Sequence, residues 1–159
     1  MVHLSDLIGK PVIDVEGERA GRLTDLIVSV RERMPHPSVA ALVLQRPGGI
    51  LNVSFSDVAA LTTTAIALNR RVEEVVPRQP ADYDLHLARD VLDKEIIDTN
   101  GVRVVRVNDV ELVRVYNHVY LANVDSGGLA ILRRLGLAKL AQRVAGRLGR
   151  TLTRSVISW

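Results

Sequence analysis

"LARDVLDKEIIDTNGVRVVRVNDVEL", residues 87–112, repeats the phrase of residues 4–28, "LSDLIGKPVIDVEGERAGRLTDLIV". Sliding the chain against itself by 84 positions pairs residues 5–28 with 89–112, and eight of the 24 pairs are identical. They are Asp6/Asp90, Lys10/Lys94, Ile13/Ile97, Asp14/Asp98, Gly17/Gly101, Arg19/Arg103, Arg22/Arg106 and Asp25/Asp109. Others exchange one aliphatic side chain for another, as in Leu7/Val91, Val12/Ile96 and Leu23/Val107. Self-similarity at a fixed offset marks a duplicated structural unit.

Each unit has a mechanical reading. "PVID" and "EIID" are short β-type runs, and the following "DVEG" and "DTNG" put Asp first and Gly fourth. That order suits a tight turn whose Gly takes positive φ. Longer runs follow, "RAGRLTDLIVSV" and "VRVVRVNDVELVRV", in which apolar and polar side chains alternate. A period of two specifies half-buried strands. The first unit continues through a Pro-containing loop, "RERMPHPS", the apolar run "VAALVLQ", a turn at "RPGG" and a closing strand "ILNVSFSDVAAL". The second compresses this into a turn at "YNH", a strand "VYLANVD" and a turn at "SGG". The expected fold is mainly β, two tandem small antiparallel barrels. Residues 1–76 form unit one, 77–84 a linker carrying two prolines, and 85–159 unit two.

Unit two holds an insertion at about 129–150. Leu137, Leu140, Ala141, Val144 and Leu148 share one helical face, and Lys139, Arg143, Arg147 and Arg150 the other. The pattern predicts a basic amphipathic C-terminal helix. Beyond it, Ile157-Ser158-Trp159 matches Val53-Ser54-Phe55, so the second barrel is expected to be truncated at its closing strand.

Charge and composition narrow the function classes. The net charge of +3 is uneven: residues 1–125 sum to −4, and residues 126–159 carry seven Lys/Arg and no acid. A uniformly basic nucleic-acid surface is therefore excluded. With 47% hydrophobic residues the chain can bury a core, but one Phe, one Trp and three Tyr make that core aliphatic. The absence of Cys removes disulfides, thiolate metal sites and a Cys nucleophile together. No run reaches the roughly 20 apolar residues of a membrane span, and the N-terminus has no signal-peptide pattern. A cytoplasmic location, at most at the inner face of the membrane, is the expectation.

The pattern of Leu4, Leu7, Gly9, Val12, Asp14, Gly17, Gly21, Leu23 and Asp25 resembles the PRC-barrel. This β-barrel is shared by the H subunit of photosynthetic reaction centres and the ribosome-maturation factor RimM. Unit two, with "LRRLGL" and "ISW", is similar to the N-terminal region of bacterial magnesium-transporter-like proteins, where PRC-type units precede an MgtE-type domain and CBS domains. Unit two departs from the barrel pattern where Asp93 replaces Gly9 and Val105 replaces Gly21. The resemblance implies a non-catalytic assembly or regulatory module. Its partners would be the rest of its own chain, a second copy or a transporter component. The alternative is a ribosome-associated barrel of the RimM type.

No catalytic, cofactor or metal site is expected. The acids Asp82, Asp84, Asp90, Asp93, Glu95 and Asp98 are dense but lack a metal-loop spacing, and read as solvated surface. His3, His36, His86 and His118 have no ligand spacing and read as ordinary surface or half-buried residues. Neither "GRLGR" nor "RPGG" is a phosphate loop. Asp14, Gly17, Asp98 and Gly101 read as turn residues. Arg22, Asp25, Arg106 and Asp109 read as cross-strand pairs or as contacts between the two units. The cationic face Lys139, Arg143, Arg147 and Arg150 is the candidate partner-binding surface, for an acidic protein or an anionic membrane.

Overall fold

The computed structural model describes residues 1–30, 36–97 and 104–125. Strand β1 (Val2–His3) enters a single helical turn, α1 (Leu4–Leu7). It is followed by β2 (Pro11–Ile13), β3 (Arg19–Ser29), β4 (Ser38–Arg46) and β5 (Gly49–Ser54). A 3-10 turn (Phe55–Asp57), β6 (Val58–Leu61), β7 (Ile66–Leu68) and a second 3-10 turn (Val72–Glu74) end the first half. The second half contains β8 (Asp84–His86), a π-helical turn (Leu87–Val91), β9 (Glu95–Ile97), β10 (Val104–Arg106), β11 (Asp109–Val115) and β12 (His118–Asp125).

Local chemistry explains the first hairpin. Gly17 sits at φ 83° and its N–H donates to the Asp14 carbonyl at 3.1 Å. The Asp14 carboxylate accepts from the N–H of Glu16 and Glu18, both at 2.9 Å, so the turn is held from inside. Its other oxygen accepts from the Val72 N–H at 3.2 Å, which fastens the end of the first half to its start. The long strand β3 then pairs with β4 from Arg22↔Gln45 to Ser29↔Ser38.

Ten strands lie in one sheet that curls into a half-barrel, in the order β1-β11-β12-β4-β3-β2-β7-β6 with β5 on β4 and β8 on β3. The fold is mainly β, as expected. Both halves contribute to the same sheet and to one buried aliphatic core that runs from Leu4, Leu26 and Leu42 to Leu87, Leu112 and Leu121. Three details differ from the sequence reading. The β2–β7 ladder is parallel (Val12↔Ile66), not antiparallel. The closing strand read over "ILNVSFSDVAAL" is broken by the 3-10 turn, because the chain must leave β4 to reach β7. The stretch read as a linker is pinned: the Arg78 N–H donates to the Asn52 carbonyl and its guanidinium grips Asp84.

The repeat is visible bond by bond. Gly9 N–H donates to the Leu23 carbonyl at 2.8 Å, and Asp93 N–H to the Val107 carbonyl at 2.9 Å. Leu23 N–H returns to the Lys10 carbonyl and Val107 N–H to the Lys94 carbonyl. Even an irregularity is duplicated: β3–β4 shifts register between Ile27 and Val28, β11–β12 between Glu111 and Leu112. The halves meet where Tyr120 pairs with Ser38. The two residues occupy equivalent places in their own hairpins, opposite Val113 and Ser29, so this pair lies on a pseudo-two-fold axis.

The predicted helix over 129–150 and its face Lys139, Arg143, Arg147 and Arg150 lie outside the described residues, as do Asp98, Gly101 and the match at Ile157-Ser158-Trp159.

Candidate interaction site

The two halves exchange their N-terminal arms. β1 adds to β11 (Val2↔Leu112, His3↔Glu111), and β8 adds to β3 (Leu85↔Val28, His86↔Ile27). Shifting by 83 upstream of the helical turn and by 84 beyond it superposes one set of pairs on the other. The missing position is absorbed in the turn itself. Ile8 N–H closes on the Leu4 carbonyl at 3.0 Å, whereas Leu92 N–H closes on the Leu87 carbonyl at 2.8 Å. The second turn holds one residue more and is a π-turn for that reason.

Asp25 and Asp109 sit where each arm lands. The Asp25 carboxylate accepts from the N–H of Ala88 at 2.6 Å and Arg89 at 3.0 Å, and from its neighbour Leu26 at 2.7 Å. Asp109 accepts from the N–H and the hydroxyl of Ser5, and from the N–H of Val110. Each carboxylate thus caps the free N–H groups opening the other half's helical turn. Each also faces a histidine of the incoming arm: His86 Nδ1 lies 3.7 Å from Asp25 and His3 Nδ1 3.8 Å from Asp109. Burial raises the Asp109 pKa, but the Ser5 and Val110 bonds and the nearby His3 outweigh it, and the net direction is downward.

Arg22 and Arg106 do not join these carboxylates. Arg22 donates to the Gly9 carbonyl at 3.1 Å, and Arg106 to the Asp93 carboxylate at 3.0 Å. Both brace the loop that leads into the first strand of their hairpin.

The acid-rich stretch divides. Asp93 is exposed, as read from sequence, but Asp84 and Asp90 are not solvated surface. The Asp84 side chain is only 6% exposed and receives two bonds from Arg78, at 2.6 and 2.8 Å. Asp90 is buried, takes two bonds from Arg89 and accepts from the His86 N–H at 3.0 Å. Burial raises both acids, the arginine and backbone bonds lower them further, and both end below the ordinary carboxylate range. Among the described residues no group of three or more His, Asp or Glu is placed to hold a metal ion.

A cavity of about 550 Å³ lies between β6 and the β11–β12 hairpin, where Phe55, Val58 and Leu61 face Arg114, Asn117 and His118. Its wall is half apolar and half polar, and both halves of the chain contribute.

The helical turn and hairpin that open the first half are also where a known family is met. Residues 1–36 match the PRC-barrel domain. No curated protein matches the chain. The matched PRC-barrel segment spans β1, α1, β2 and β3, the part whose bonds recur in residues 85–112. Sequence reasoning placed Asp25 and Asp109 but missed their partners. The signal was present: one deletion in the comparison aligns Val2-His3-Leu4 with Leu85-His86-Leu87. A fixed offset of 84 hides it.

Proposed function

We propose that this chain is a non-catalytic assembly module of two PRC-type barrels in tandem. Its setting is the N-terminal cytosolic part of a magnesium-transporter-like protein, where it scaffolds or regulates. The observation that carries the reading is the reciprocal exchange of arms, joined to strand edges of the second half that are unpaired among the described residues. β2 is flanked by β3 and β7, but among the described residues its counterpart β9 is flanked by β10 alone. β4 carries β5 along Ala41–Arg46, and Asn123–Asp125 of β12, the counterparts of Ala41–Val43, carry no described strand. Open edges on a rigid sheet suit strand addition by another segment or another chain.

Sedimentation equilibrium with and without millimolar magnesium tests the reading. The expected result is a defined association, in this chain or in a longer chain extending past Trp159, with a mass indifferent to magnesium. A strict monomer in both forms overturns the assembly role. A change given by magnesium and not by calcium or sodium would instead make the module an ion sensor.

A further inference from the structure

A second cleft, of about 720 Å³, opens at the far end of β3 and β4, and its lining includes Arg19, Arg22, Gln45, Arg46 and Pro47 around Gly21. Three arginines line this cleft, and among the described residues none of them forms an ion pair. The setting makes this unusual, because residues 1–125 are net acidic and most other arginines here hold a carboxylate. Like charges gathered without counter-charge repel, so an unoccupied cleft of this kind costs stability.

The repeat supplies an internal control. Arg106, the counterpart of Arg22, is neutralised by Asp93, which sits at φ 60° in the loop before β9. The counterpart of Asp93 is Gly9, at φ 83°, and there Arg22 meets only a backbone carbonyl. The two loops make the same backbone bonds, so the first half had a place for the carboxylate and lacks it. Gly21 adds the floor. A Cβ there would come within 2.8 Å of the Gln45 carbonyl, so the position stays bare and the cleft stays open.

We propose that this cleft binds a phosphate group, borne by a soluble phosphate or by an anionic lipid headgroup. Guanidinium forks bond two oxygens of a tetrahedral anion at once, and the cleft offers them from β3 on one side and the β4–β5 hairpin on the other. The site is independent of the assembly role, since no arm or open edge takes part in it.

The test is a titration of the isotope-labelled chain with inorganic phosphate at constant ionic strength, read from the amide signals of Gly21, Arg22, Gln45 and Arg46. Flotation with phosphatidylglycerol vesicles against phosphatidylcholine vesicles runs in parallel. Saturable shifts, or binding confined to the anionic vesicles, are expected. Arg19→Gln and Arg46→Gln should each weaken the response by about tenfold, the worth of one charged hydrogen bond. Gly9→Asp should weaken it too, by installing the pairing that Arg106 already has. Arg114→Gln, in the other cavity, should leave it intact, with the urea midpoint confirming that every variant folds. A phosphate response without vesicle binding identifies a soluble ligand, and the reverse identifies a headgroup. No response in either arm overturns the site, as does a response that chloride reproduces or that the three cleft variants leave unchanged.

Discussion

Asp25 shows what one side chain does at the seam between two halves. Its two oxygens hold three backbone N–H groups, two of them from a segment more than 60 positions away. Alanine there would leave one buried and two part-buried donors without their acceptor. The expected loss for Asp25→Ala is about 2–3 kcal/mol in urea unfolding. Asp109→Ala should cost less, about 1–2 kcal/mol, because its partners lie nearer solvent, which can replace the lost acceptor. Equal losses would contradict the difference in burial between the two caps. Four acids set the response to pH. Asp14, Asp84, Asp90 and Asp109 all have lowered pKa values in the folded chain. In each, burial pulls upward and hydrogen bonds or neighbouring cations pull further down. A lowered folded value means that the unfolded chain takes up the proton first. Their contribution is therefore complete above the unfolded carboxylate value near about 4 and is lost as pH falls below it. Urea midpoints should be level through the neutral range and drop below that point. Arg78→Gln should shrink the drop, since Asp84 loses the cation that holds it down. A midpoint that falls already between neutrality and the carboxylate range would show another group in control.

At the scale of elements, the π-turn is the informative one. Leu4–Leu7 and Leu87–Val91 do the same work, burying Leu4 and Leu7 in one half and Leu87 and Val91 in the other. The additional residue of the second turn falls at Ala88 or Arg89, between Leu87 and Asp90, the counterparts of Leu4 and Asp6. Deleting Ala88 should convert the π-turn to the α-turn of the first half. The loss is expected to be about 1–2 kcal/mol, from the Ala88 bond to Asp25, with cooperative unfolding preserved. Deleting Leu26 instead should abolish folding, because it moves the rest of β3 to the opposite face. If both deletions unfold the chain, the turn has no spare residue. The contrast also marks what the sequence could convey. β3, β4, β11 and β12 each run over seven or more residues rich in aliphatic side chains, and announce themselves. So does the Asp14–Gly17 turn, whose bonds are all local. β1, β7 and β8 have two or three residues each, and their pairing is set entirely by strands far along the chain. No local period exists for them to display. The acids fall on the same divide: Asp84 and Asp90 look like surface residues until the arm exchange buries them against Arg78 and Arg89.

For the molecule as a whole, the question is whether the duplicated halves unfold together. Two barrels on a linker would melt as two bodies. Here the buried core passes without a break from Leu42 and Leu44 to Leu112 and Leu121, and each half lends the other a strand. Unfolding either half exposes the core of its neighbour, so a single transition is expected among these residues. Leu42→Ala and Leu112→Ala each remove a fully buried side chain, one from either half. Each should lower stability by about 2–5 kcal/mol, and both should move the same transition whichever half carries the probe. The pseudo-two-fold pair allows a second check on the same point. The chain has no Cys, so Ser38→Cys with Tyr120→Cys creates one possible disulfide and no competitor. Paired positions on antiparallel strands stand about 4.5–5.5 Å apart, within reach of a disulfide. Mild oxidation should close the link within one chain and raise the unfolding midpoint for the entire molecule. Two separate transitions, or a link that forms only between chains, would mean that the halves are joined by sequence alone and that the shared sheet does not hold in solution.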